Sequence, residues 1–590
     1  MLRTITCNEL TKTNVGQEVT LCGWVSNRRD HGGIIFIDLR DRYGITQIVF
    51  DPEDDKQAWL EANDFRSEFV IQVTGKVRNR PEGQDNKNLK TGDIEVIIKK
   101  TNLLSKSKTP PFELDDFGDT ANEEIRYKHR YIDLRRRKVL DNVKFRSKFL
   151  NFTRNWFVEK DFLEVQTPLF TVSSPEGARD YLIPSRLNPG KFYALPQAPQ
   201  QYKQLLMVGG IDKYFQVAPC FRDEDPRADR HSCEFYQIDC EMSFVEQDDV
   251  FKVVESYIRD VVKGVSDKEI MGNFEIMSYD EALENYGSDK PDIRFGMKFV
   301  DLTDIFKNSG FSVFKNVCDT CGVIKAIKLE GQTMSRKDID DLTQTAIKAG
   351  AKGLAYIIYD AVEGPRSPIL KFFSDAELKE MEARMQPKTG DIIFFSANEF
   401  KRAVSVLSVV RLALRDKFNL ADDKKLGFAW ICDFPMFEQD AVTGKLDFSH
   451  NPFSMPHGGV EAFERQDLLN IKAVQYDLAC NGYEILSGSI RNHDVESLVR
   501  AFGIVGRDKQ EVVDKFGAMY EAFQYGVPPH GGFAIGMDRF MMILKDENNI
   551  REVYAFPKSG RAQDVMMNAP SFIDQSQLDE LHIELKPIEL

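Results

Sequence analysis

The chain has 590 residues, a formal net charge of −15 at pH 7 and a hydrophobic fraction of 42%. This length leaves room for about four domains, and the composition is that of a folded globular protein. We expect no membrane span, because no apolar run reaches roughly 18 residues, and no signal peptide, because the N-terminus lacks an apolar core. The negative charge argues only mildly against a nucleic-acid partner, since RNA binding depends on local positive surface.

Nine cysteines are scattered along the chain, and Cys318 and Cys321 form one CxxC pair. A zinc site needs four ligands, and no second pair lies near with suitable spacing. We therefore interpret the cysteines as reduced thiols of a cytoplasmic protein.

Residues 1 to about 105 have the pattern of an all-β domain. Turn residues separate short β-branched runs at Val19–Val25, Gly33–Leu39, Ile45–Phe50, Phe69–Val77 and Ile94–Lys99. Five strands in about 100 residues fit a small barrel such as the OB-fold, which binds oligonucleotides on one face. A sandwich or an SH3-like barrel fits the number of strands nearly as well.

The pattern changes after the linker Thr109–Phe112. Helical periodicity dominates over Ile125–Phe157, and strands then alternate with helices up to about residue 290. Pro291–Asp423 could be a separate unit, in which Ser374 and Glu377 have the spacing of a capping box at the start of a helix. Strand-rich sequence then resumes.

Two clusters of interest lie in the first half of this region. Phe162–Pro168 is an extended segment that ends in proline after a long amphipathic helix, and an ordinary edge strand would explain it. Phe221–Glu224 lies in a charged loop between Tyr214–Val217 and Phe235–Asp239, an arrangement that any polar hairpin loop also gives.

Two more clusters lie nearer the C-terminus. Asp477 and Glu484 would bring two carboxylates to one cavity if the first stretch is helical and the second extended. Paired carboxylates beside phosphate commonly hold Mg²⁺, although solvated carboxylates are the commoner case. Gly531–Arg539 offers glycines for close backbone approach and an arginine fork for phosphate, but it lacks the GxGxxG spacing of a dinucleotide-binding loop.

In this order, the proline-ended segment, the Phe221–Glu224 loop and Gly536–Arg539 resemble the three signature motifs of class II aminoacyl-tRNA synthetases. Ser174–Tyr181, Pro199–Lys203, Asn481–Glu484 and the N-terminal barrel extend the resemblance to bacterial aspartyl-tRNA synthetases over nearly the whole chain. The resemblance implies an enzyme that joins aspartate to tRNA with ATP and Mg²⁺. It also implies a homodimer that uses the proline-ended segment, and symmetric dimers are the commonest soluble assembly.

The resemblance implies an α+β multidomain fold. Its expected parts are an OB-fold anticodon-binding barrel (1–108), a hinge (109–140), an antiparallel-sheet catalytic domain in two pieces (141–290 and 425–560), an inserted α+β bacterial domain (291–424) and a C-terminal extension (561–590).

By resemblance, ATP would be bound by Arg222, Asp223, Glu224, His231, Glu484, Gly536, Met537, Asp538 and Arg539. Among them, Arg222, Arg539 and Glu484 would be catalytic. Arg222 would clamp the substrate carboxylate and the α-phosphate, Arg539 would hold the γ-phosphate, and Glu484 would share Mg²⁺ with Asp477. Attack of aspartate on the α-phosphorus needs positioning and charge neutralisation more than a nucleophilic side chain.

The resemblance also implies an aspartate pocket formed by Glu176, Gln200, Lys203, Arg222, Asp239, His450 and Arg491. Glu176, Gln200 and Asp239 would surround the α-ammonium group. Lys203 and Arg491 would be the cations around the side-chain carboxylate, so an amide in its place would leave both uncompensated.

Two segments depart from the family pattern. Arg230–Phe235 is one residue longer than the usual Arg-Gln-Pro-Glu-Phe, so His231 either replaces the usual glutamine near ATP or is an ordinary loop residue. Asn451 stands where the family usually has a second histidine, and it cannot be charged, while His450 keeps the first position.

The anticodon would bind on the barrel at Arg29, Phe36, Gln47 and Glu95. Phe36 would stack on a base unless it is a core residue of its strand. His31 and Gly83 resemble the relaxed members of the family, which charge tRNA(Asn) as well as tRNA(Asp), because a missing repulsive side chain relaxes specificity. Both positions could also be ordinary loop residues.

Two other functions compete with this one. Asparaginyl-tRNA synthetase shares the barrel and the motifs, but the inserted domain and the pair of cations count against it. An RNA-binding regulator with an inactive catalytic domain would not need Arg222, Asp477, Glu484, Arg491 and Arg539 together.

Overall fold

The computed structural model describes residues 1–114, 121–173, 178–440, 443–464 and 467–586. The chain divides into two compact units. The first comprises residues 1–143, 555–559 and 563–570, and the second comprises residues 144–554, 560–562 and 571–590. Among the described residues, no helix has both the length and the apolar character needed to cross a bilayer.

The N-terminal strands close into a five-stranded barrel in the order β1-β2-β3-β5-β4. Its elements are β1 (Glu18–His31), β2 (Ile34–Asp41), β3 (Gly44–Phe50), α1 (Lys56–Ala62), β4 (Val70–Asn79) and β5 (Ile94–Ser105). Alternation explains the core: Ile35, Ile37 and Leu39 of β2 are buried, whereas the residues between them are only half-buried. The closure of the sheet excludes the alternative of a sandwich.

Helices and the first part of a large sheet follow. The elements are α2 (Glu123–Lys128), α3 (Arg130–Asp133), α4 (Arg137–Glu159), β6 (Leu163–Glu164), β7 (Leu182–Pro184), β8 (Phe192–Ala194), α5 (Gln200–Val208), β9 (Lys213–Phe221), β10 (Glu234–Ser243), α6 (Gln247–Val265), β11 (Glu269–Ile270), β12 (Glu275–Ser278) and α7 (Tyr279–Tyr286). The proline-ended segment contributes only the two-residue strand β6, which pairs with β9 in parallel.

Residues 300–418 form a separate antiparallel sheet in the order β13-β14-β17-β15-β16, with helices between its strands. The elements are β13 (Val300–Asp301), α8 (Thr303–Phe306), α9 (Ser312–Asp319), β14 (Val323–Leu329), α10 (Arg336–Lys348), β15 (Ala355–Asp360), β16 (Gly364–Arg366), α11 (Asp375–Met385), β17 (Ile392–Asn398) and α12 (Phe400–Phe418). The predicted capping box is confirmed, because Ser374 and Glu377 bond reciprocally at the start of α11.

The large sheet is completed after this insertion. The elements are β18 (Lys425–Leu426), β19 (Phe428–Pro435), β20 (Phe437–Gln439), β21 (Leu446–Phe448), β22 (Lys472–Cys480), β23 (Tyr483–Ile490), α13 (Val495–Ile504), α14 (Lys509–Ala522), β24 (His530–Gly536), α15 (Met537–Leu544) and α16 (Gln575–Glu580). Short 3₁₀ helices lie at Lys12–Asn14, Leu370–Phe372, Gly459–Glu464, Leu468–Asn470, Phe523–Tyr525 and Ile550–Val553.

The large sheet has eight strands in the order β12-β19-β22-β23-β24-β10-β9-β6. Its six central strands are antiparallel, and only the two edge strands pair in parallel. Helix α6 buries its apolar face on this sheet, where Phe251 stacks on Trp430 with ring centroids 3.9 Å apart. This rigid antiparallel platform holds β10, β23 and β24 side by side.

Candidate functional site

A cavity of about 340 Å³ opens over strands β10, β23 and β24. The lining residues are Arg222, Glu224, Arg230, His231, Ser232, Phe235, Tyr236, Gln237, His450, Asn451, Gln475, Glu484, Ile485, Leu486, Ser487, Ala534, Gly536, Asp538, Arg539 and Ile550. The structure therefore brings the loop after β9, strand β23 and the start of α15 together. These are the segments in which the sequence predicted ATP-binding residues.

Two arginines face this cavity without a carboxylate partner among the described residues. Arg222 lies over the ring of Phe235, 5.1 Å from its centroid, and its buried Nε has no hydrogen-bond acceptor. Arg539 donates to two backbone carbonyls, those of Glu484 and, at 3.1 Å from Nε, Arg230. Burial lowers the pKa of Arg539, although the nearby Glu484 carboxylate opposes this shift. Both guanidinium groups would gain from a bound anion.

Three of the predicted ATP-binding residues have structural roles or lie away from the cavity. Asp538 lines the cavity, but its carboxylate accepts from Arg146 Nη1 at 2.5 Å and from the Tyr236 amide at 2.8 Å. Met537 is fully buried in the hydrophobic core, and Asp223 is exposed and does not line the cavity. Asp538 therefore fixes the start of α15 against β10.

The two carboxylates predicted to hold Mg²⁺ both lie on extended strands. Asp477 is on β22 and pairs with Ser487 of β23, the strand that carries Glu484. The condition of a helix at Asp477, under which the sequence would pair the two carboxylates, is therefore not met. Burial and the negative charge of Glu484 raise the pKa of Asp477 well above its usual range. One oxygen of Asp477, Oδ1, is buried without a hydrogen-bond partner. A cation between these carboxylates would neutralise their repulsion and give Asp477 Oδ1 a partner.

Of the residues predicted to bind aspartate, Arg222 and His450 line the cavity. Four others are buried and do not line it: Gln200, Lys203, Asp239 and Arg491. Gln237 of β10 lines the cavity, and Asp239 is two residues further along the same face. Lys203 of α5 donates to Asp239 Oδ1 at 2.6 Å, and both side chains are almost fully buried. Burial raises the pKa of Asp239, and the Lys203 ammonium opposes this. The second oxygen, Asp239 Oδ2, has no hydrogen-bond partner.

Arg491 is held by Glu241, a residue that was not predicted. Its Nε and Nη2 donate to Glu241 Oε1 and Oε2 at 2.7 and 2.9 Å, and its Nη1 donates to Ser489 Oγ at 2.8 Å. Burial opposes the charge on Glu241, but Arg491 and Lys203 outweigh it and lower the pKa of that carboxyl. The prediction that Lys203 and Arg491 are uncompensated cations is therefore wrong, because each has a buried carboxylate partner.

The strand β24 leaves room for this ion pair. A Cβ at Gly532 would collide with the Cys240 carbonyl and with Glu241 Oε2. The glycines before the third motif were predicted to allow close approach to a ligand, and at Gly532 the close neighbour is the carboxylate that positions Arg491.

The remaining predicted residues of the aspartate pocket are partly described. Gln200 is buried and donates to Gln204 Oε1 at 3.0 Å. His450 lines the cavity and packs edge-on against Phe434, with ring centroids 4.9 Å apart. His231 also lines the cavity, and burial lowers its pKa. Glu176 lies outside the described residues.

Most buried polar groups in proteins have hydrogen-bond partners, so exceptions indicate where a ligand would bind. Among the described residues, four charged side chains carry a buried atom without a partner: Arg80, Arg222, Asp239 and Asp477. Three of them belong to the predicted ATP, aspartate and Mg²⁺ sites. The fourth, Arg80, lies on the barrel.

The predicted anticodon residues share one face of the barrel. Arg29 binds Asp38 with two hydrogen bonds of 2.8 Å and contacts Gln47 Oε1 at 3.3 Å. Gln47 in turn donates to Glu95 Oε2 at 2.8 Å, and Arg78 donates to Glu95 Oε1 at the same distance. This network fixes the directions of the polar groups on the barrel face that points away from the apolar core.

Phe36 belongs to this face and not to the core. It lies between the buried Ile35 and Ile37, pairs with Arg29 across β1 and β2, and is only half-buried. The alternative that Phe36 is a core residue is therefore wrong. His31 lies beside it, with ring centroids 6.1 Å apart.

Gly83 lies in an open turn of the barrel. A Cβ there would meet no atom within 4 Å, and its φ of +78° is one that side chains rarely adopt. The positive φ therefore favours glycine at this position independently of any role in tRNA selection.

The sequence did not predict Glu241 and Ser489 beside the predicted aspartate-binding residues, or Asp38, Arg78 and Arg80 on the barrel. Glu241 could have been found by alternation, because it follows Asp239 by two residues on one strand. The barrel residues depend on which strands pair, which the strand pattern alone does not give.

Comparison with known proteins agrees with this geometry. Residues 122–560 match the family model of class II tRNA synthetases (D, K and N), and residues 19–104 match the model of the OB-fold nucleic acid binding domain. The chain therefore belongs to the class II tRNA synthetases of the D, K and N group. Its barrel is an OB-fold, and its large antiparallel sheet is the class II catalytic domain.

Particular relatives match over nearly the full chain. The aspartate--tRNA(Asp/Asn) ligase of Chlorobium phaeobacteroides (strain BS1) is 48% identical over 581 residues, which cover 98% of this chain and 95% of the relative. The protein of the same name from Rickettsia africae (strain ESF-5) is 46% identical, with 99% and 98% covered.

Solved structures share the fold at low sequence identity. Asparaginyl-tRNA synthetase from Pyrococcus horikoshii, complexed with asparaginyl-adenylate, superposes with a TM-score of 0.58 at 18% identity, covering 95% of this chain and 99% of that one. Aspartyl-tRNA synthetase from Entamoeba histolytica gives a TM-score of 0.55 at 18% identity, covering 93% and 90%.

Proposed function

We propose that this chain is an aspartate--tRNA ligase that activates L-aspartate with ATP and transfers it to both tRNA(Asp) and tRNA(Asn). Relatives that are 46% and 48% identical over nearly the whole chain carry the name aspartate--tRNA(Asp/Asn) ligase. The observation that carries the proposal within this chain is the set of buried, unpartnered charged atoms on Arg222, Asp239 and Asp477. One cation and two carboxylates, each with one buried atom that lacks a hydrogen-bond partner, match the phosphate, ammonium and metal groups of the reactants.

In the first step, a carboxylate oxygen of aspartate attacks the α-phosphorus of ATP, and the bond to pyrophosphate breaks. Arg222 neutralises the α-phosphate and the attacking carboxylate, and its stacking on Phe235 holds the guanidinium plane in place. Arg539 holds the γ-phosphate, with its remaining donors free of carboxylates among the described residues. The protein thus supplies positioning and charge and no covalent intermediate of its own.

Asp477 and Glu484 are the residues that would hold Mg²⁺. They fit it because the unpartnered Asp477 Oδ1 and the mutual repulsion of the two carboxylates both call for a cation. When bound, Mg²⁺ neutralises phosphate charge as pyrophosphate leaves.

Aspartate is recognised at both ends. Asp239 Oδ2, Gln200 and Glu176 receive the α-ammonium group, while Arg491 and Lys203 attract the side-chain carboxylate. Since Glu241 occupies Nε and Nη2 of Arg491, the remaining N–H groups of its Nη1–Nη2 edge are those left for the substrate. The four buried charges of Lys203, Arg491, Asp239 and Glu241 sum to zero. Rejection of the neutral amide therefore rests on hydrogen-bond direction, because the amide NH₂ group would place a donor against the N–H donors of Arg491 and Lys203.

The second step transfers aspartate from the adenylate to the terminal ribose of tRNA, whose anticodon binds the barrel. Phe36 offers a stacking surface, and the Arg29–Gln47–Glu95 network offers directed polar groups. Arg80, with an unpartnered buried nitrogen beside this network, is a further candidate for the anticodon. His31 and Gly83 leave the third anticodon position permissive, so that tRNA(Asn) is also accepted.

The domain boundaries given above, including a bacterial domain inserted at 291–424, are part of this proposal, as are a cytoplasmic location and a homodimer. The dimer would bury a patch of exposed apolar side chains around the proline-ended segment. The patch consists of Leu163, Leu169, Phe170, Val172 and Phe192.

The direct test is aminoacylation of tRNA(Asp) and tRNA(Asn) transcripts with radiolabelled aspartate by the purified chain. We expect both to be charged with kcat/KM values within about tenfold of each other. A kcat/KM for tRNA(Asn) lower by several orders of magnitude would reject the relaxed specificity, and failure to charge either transcript would reject the function.

A further inference from the structure

A chain of three buried polar side chains lies beside the aspartate pocket, and two of its members have no role in the steps above. Gln200 and Gln204 are one helical turn apart on α5, and His530 begins β24. Gln200 Nε2 donates to Gln204 Oε1 at 3.0 Å, Gln204 Nε2 lies 3.0 Å from His530 Nε2, and His530 Nδ1 lies 2.8 Å from the Pro528 carbonyl oxygen. Gln204 and His530 are fully buried.

The Pro528 carbonyl fixes the direction of every hydrogen bond in this series of three side chains. The Pro528 carbonyl can only accept, so His530 Nδ1 carries the proton and donates. In the neutral imidazole, Nε2 is then an acceptor, and Gln204 must present its NH₂ group to it. The Gln204 oxygen therefore faces Gln200, which must present its own NH₂ group.

The amide nitrogen of Gln200 is therefore used as the donor to Gln204, and its oxygen Oε1 remains available as an acceptor. Within the described part of the chain, no donor is hydrogen bonded to Gln200 Oε1. An amide that could turn over would present either a donor or an acceptor to the substrate, and a donor would repel an ammonium group.

We propose that His530 and Gln204 are positioning residues, which hold the Gln200 amide with its oxygen available to the α-ammonium group of the amino-acid substrate. This rests on the proposed function, in which Gln200 and Asp239 receive that group. We call the hydrogen bonds that run from Pro528 through His530 and Gln204 to Gln200 the relay. The relay gives the pocket a fixed pair of acceptors, Gln200 Oε1 and Asp239 Oδ2, before the substrate arrives.

The surroundings of His530 keep the imidazole neutral. Burial lowers its pKa, and the positive charge of Arg491 and the neighbouring His493 act in the same direction. The Glu241 carboxylate and the hydrogen bond to Pro528 act in the opposite direction and do not overcome burial. A doubly protonated ring would force Gln204, and then Gln200, to reverse.

Two substitutions at Gln204 separate this role from simple packing. Gln204→Met has similar volume and removes the acceptor that faces Gln200. Gln204→Glu keeps an acceptor toward Gln200 in either protonation state, but it places an acid in a fully buried position. Packing alone predicts that Met is mild and Glu severe. The relay predicts the opposite order for aspartate binding.

The experiment measures the KM for aspartate in ATP–pyrophosphate exchange and the inhibition constant of succinate, which is aspartate without its ammonium group. For Gln204→Met we expect the KM to rise at least tenfold, which corresponds to about 1.4 kcal/mol. The inhibition constant of succinate should change less than about twofold, since no ammonium is involved. Gln204→Glu should keep the KM within about threefold of wild type, because its acceptor still holds Gln200.

His530→Phe is the second variant to use if Gln204→Met does not fold, because it removes the acceptor for Gln204. We expect it to raise the KM for aspartate and to leave the inhibition constant of succinate nearly unchanged. Equal changes for both ligands, an unchanged aspartate KM in Gln204→Met and in His530→Phe, or a larger KM in Gln204→Glu than in Gln204→Met would each overturn the proposal. Wild-type exchange is measured first, so that failure of the proposed function, seen as no exchange with aspartate, is distinguished from failure of the relay.

Discussion

Removing Arg491 should damage both binding and folding, and a second substitution should separate the two effects. In Arg491→Leu, Glu241 loses both of its hydrogen bonds to the guanidinium, at 2.7 and 2.9 Å, in a fully buried position. Breaking a buried ion pair by removing one partner costs about 3–5 kcal/mol. Lys203, 3.4 Å from Glu241 Oε2, remains as a partial partner, so we expect a value near the lower end.

The matched variant is Arg491→Leu combined with Glu241→Leu, which replaces the whole pair by apolar groups. Such replacements are often neutral or stabilising, so the double variant should recover most of the lost stability. It should not recover aspartate activation, because the cation opposite the substrate carboxylate is still missing. Loss of that contact should reduce kcat/KM for aspartate by roughly two to three orders of magnitude in both variants.

The assays are thermal unfolding of the catalytic unit and ATP–pyrophosphate exchange at saturating ATP. We expect low stability and strongly reduced activation for the single variant, and near wild-type stability with the same reduced activation for the double variant. A wild-type KM for aspartate in Arg491→Leu would refute the role of Arg491 in binding. Undiminished stability in that variant would refute the importance of the Glu241 partnership.

Three further predictions concern other parts of the molecule. Phe36→Ala should raise the KM for tRNA, since a stacking partner contributes roughly 1–3 kcal/mol per base, while exchange with aspartate stays unchanged; loss of both activities would mean that Phe36 is structural. The Asp477 carboxyl has a raised pKa in the folded protein, so the wild type loses stability as the pH rises through that pKa. Asp477→Asn removes this carboxyl, and the variant should not show the loss. Near pH 8 without Mg²⁺ the variant should unfold at the same or a higher temperature, yet it should fail to activate aspartate, and normal activity would contradict the metal role. His31→Leu and Gly83→Lys should lower charging of tRNA(Asn) more than charging of tRNA(Asp). Gly83→Ala is the control, because it brings the strain of the positive φ without the long cationic side chain; equal losses for both tRNAs would indicate a structural role.

Local patterns in the sequence predicted the five N-terminal strands and the motif-bearing loops because each depends on neighbouring residues. Alternation over β2 and the Ser374–Glu377 capping box are properties of a few adjacent positions, and both are found in the structure. The resemblance to class II synthetases then supplied the order of the domains and most of the site residues.

Partnerships across the sheet could not be predicted in the same way. Glu241 and Arg491 are 250 residues apart and meet only because β10, β24 and β23 lie side by side. The periodicity around Asp477 also failed to distinguish a strand from a helix, since β22 is buried along most of its length and lacks alternation. Burial of the predicted aspartate-binding residues Lys203, Asp239 and Arg491 likewise follows from packing and not from local sequence.

The most direct test of the function is ATP–pyrophosphate exchange by the wild-type chain with L-aspartate and, in parallel, with L-asparagine, both in the presence of Mg²⁺. The arrangement of Arg222, Lys203, Asp239 and Arg491 predicts exchange that depends on aspartate, with at most a trace for asparagine. Exchange with asparagine at a comparable or higher rate, or no exchange with either amino acid, would contradict the account.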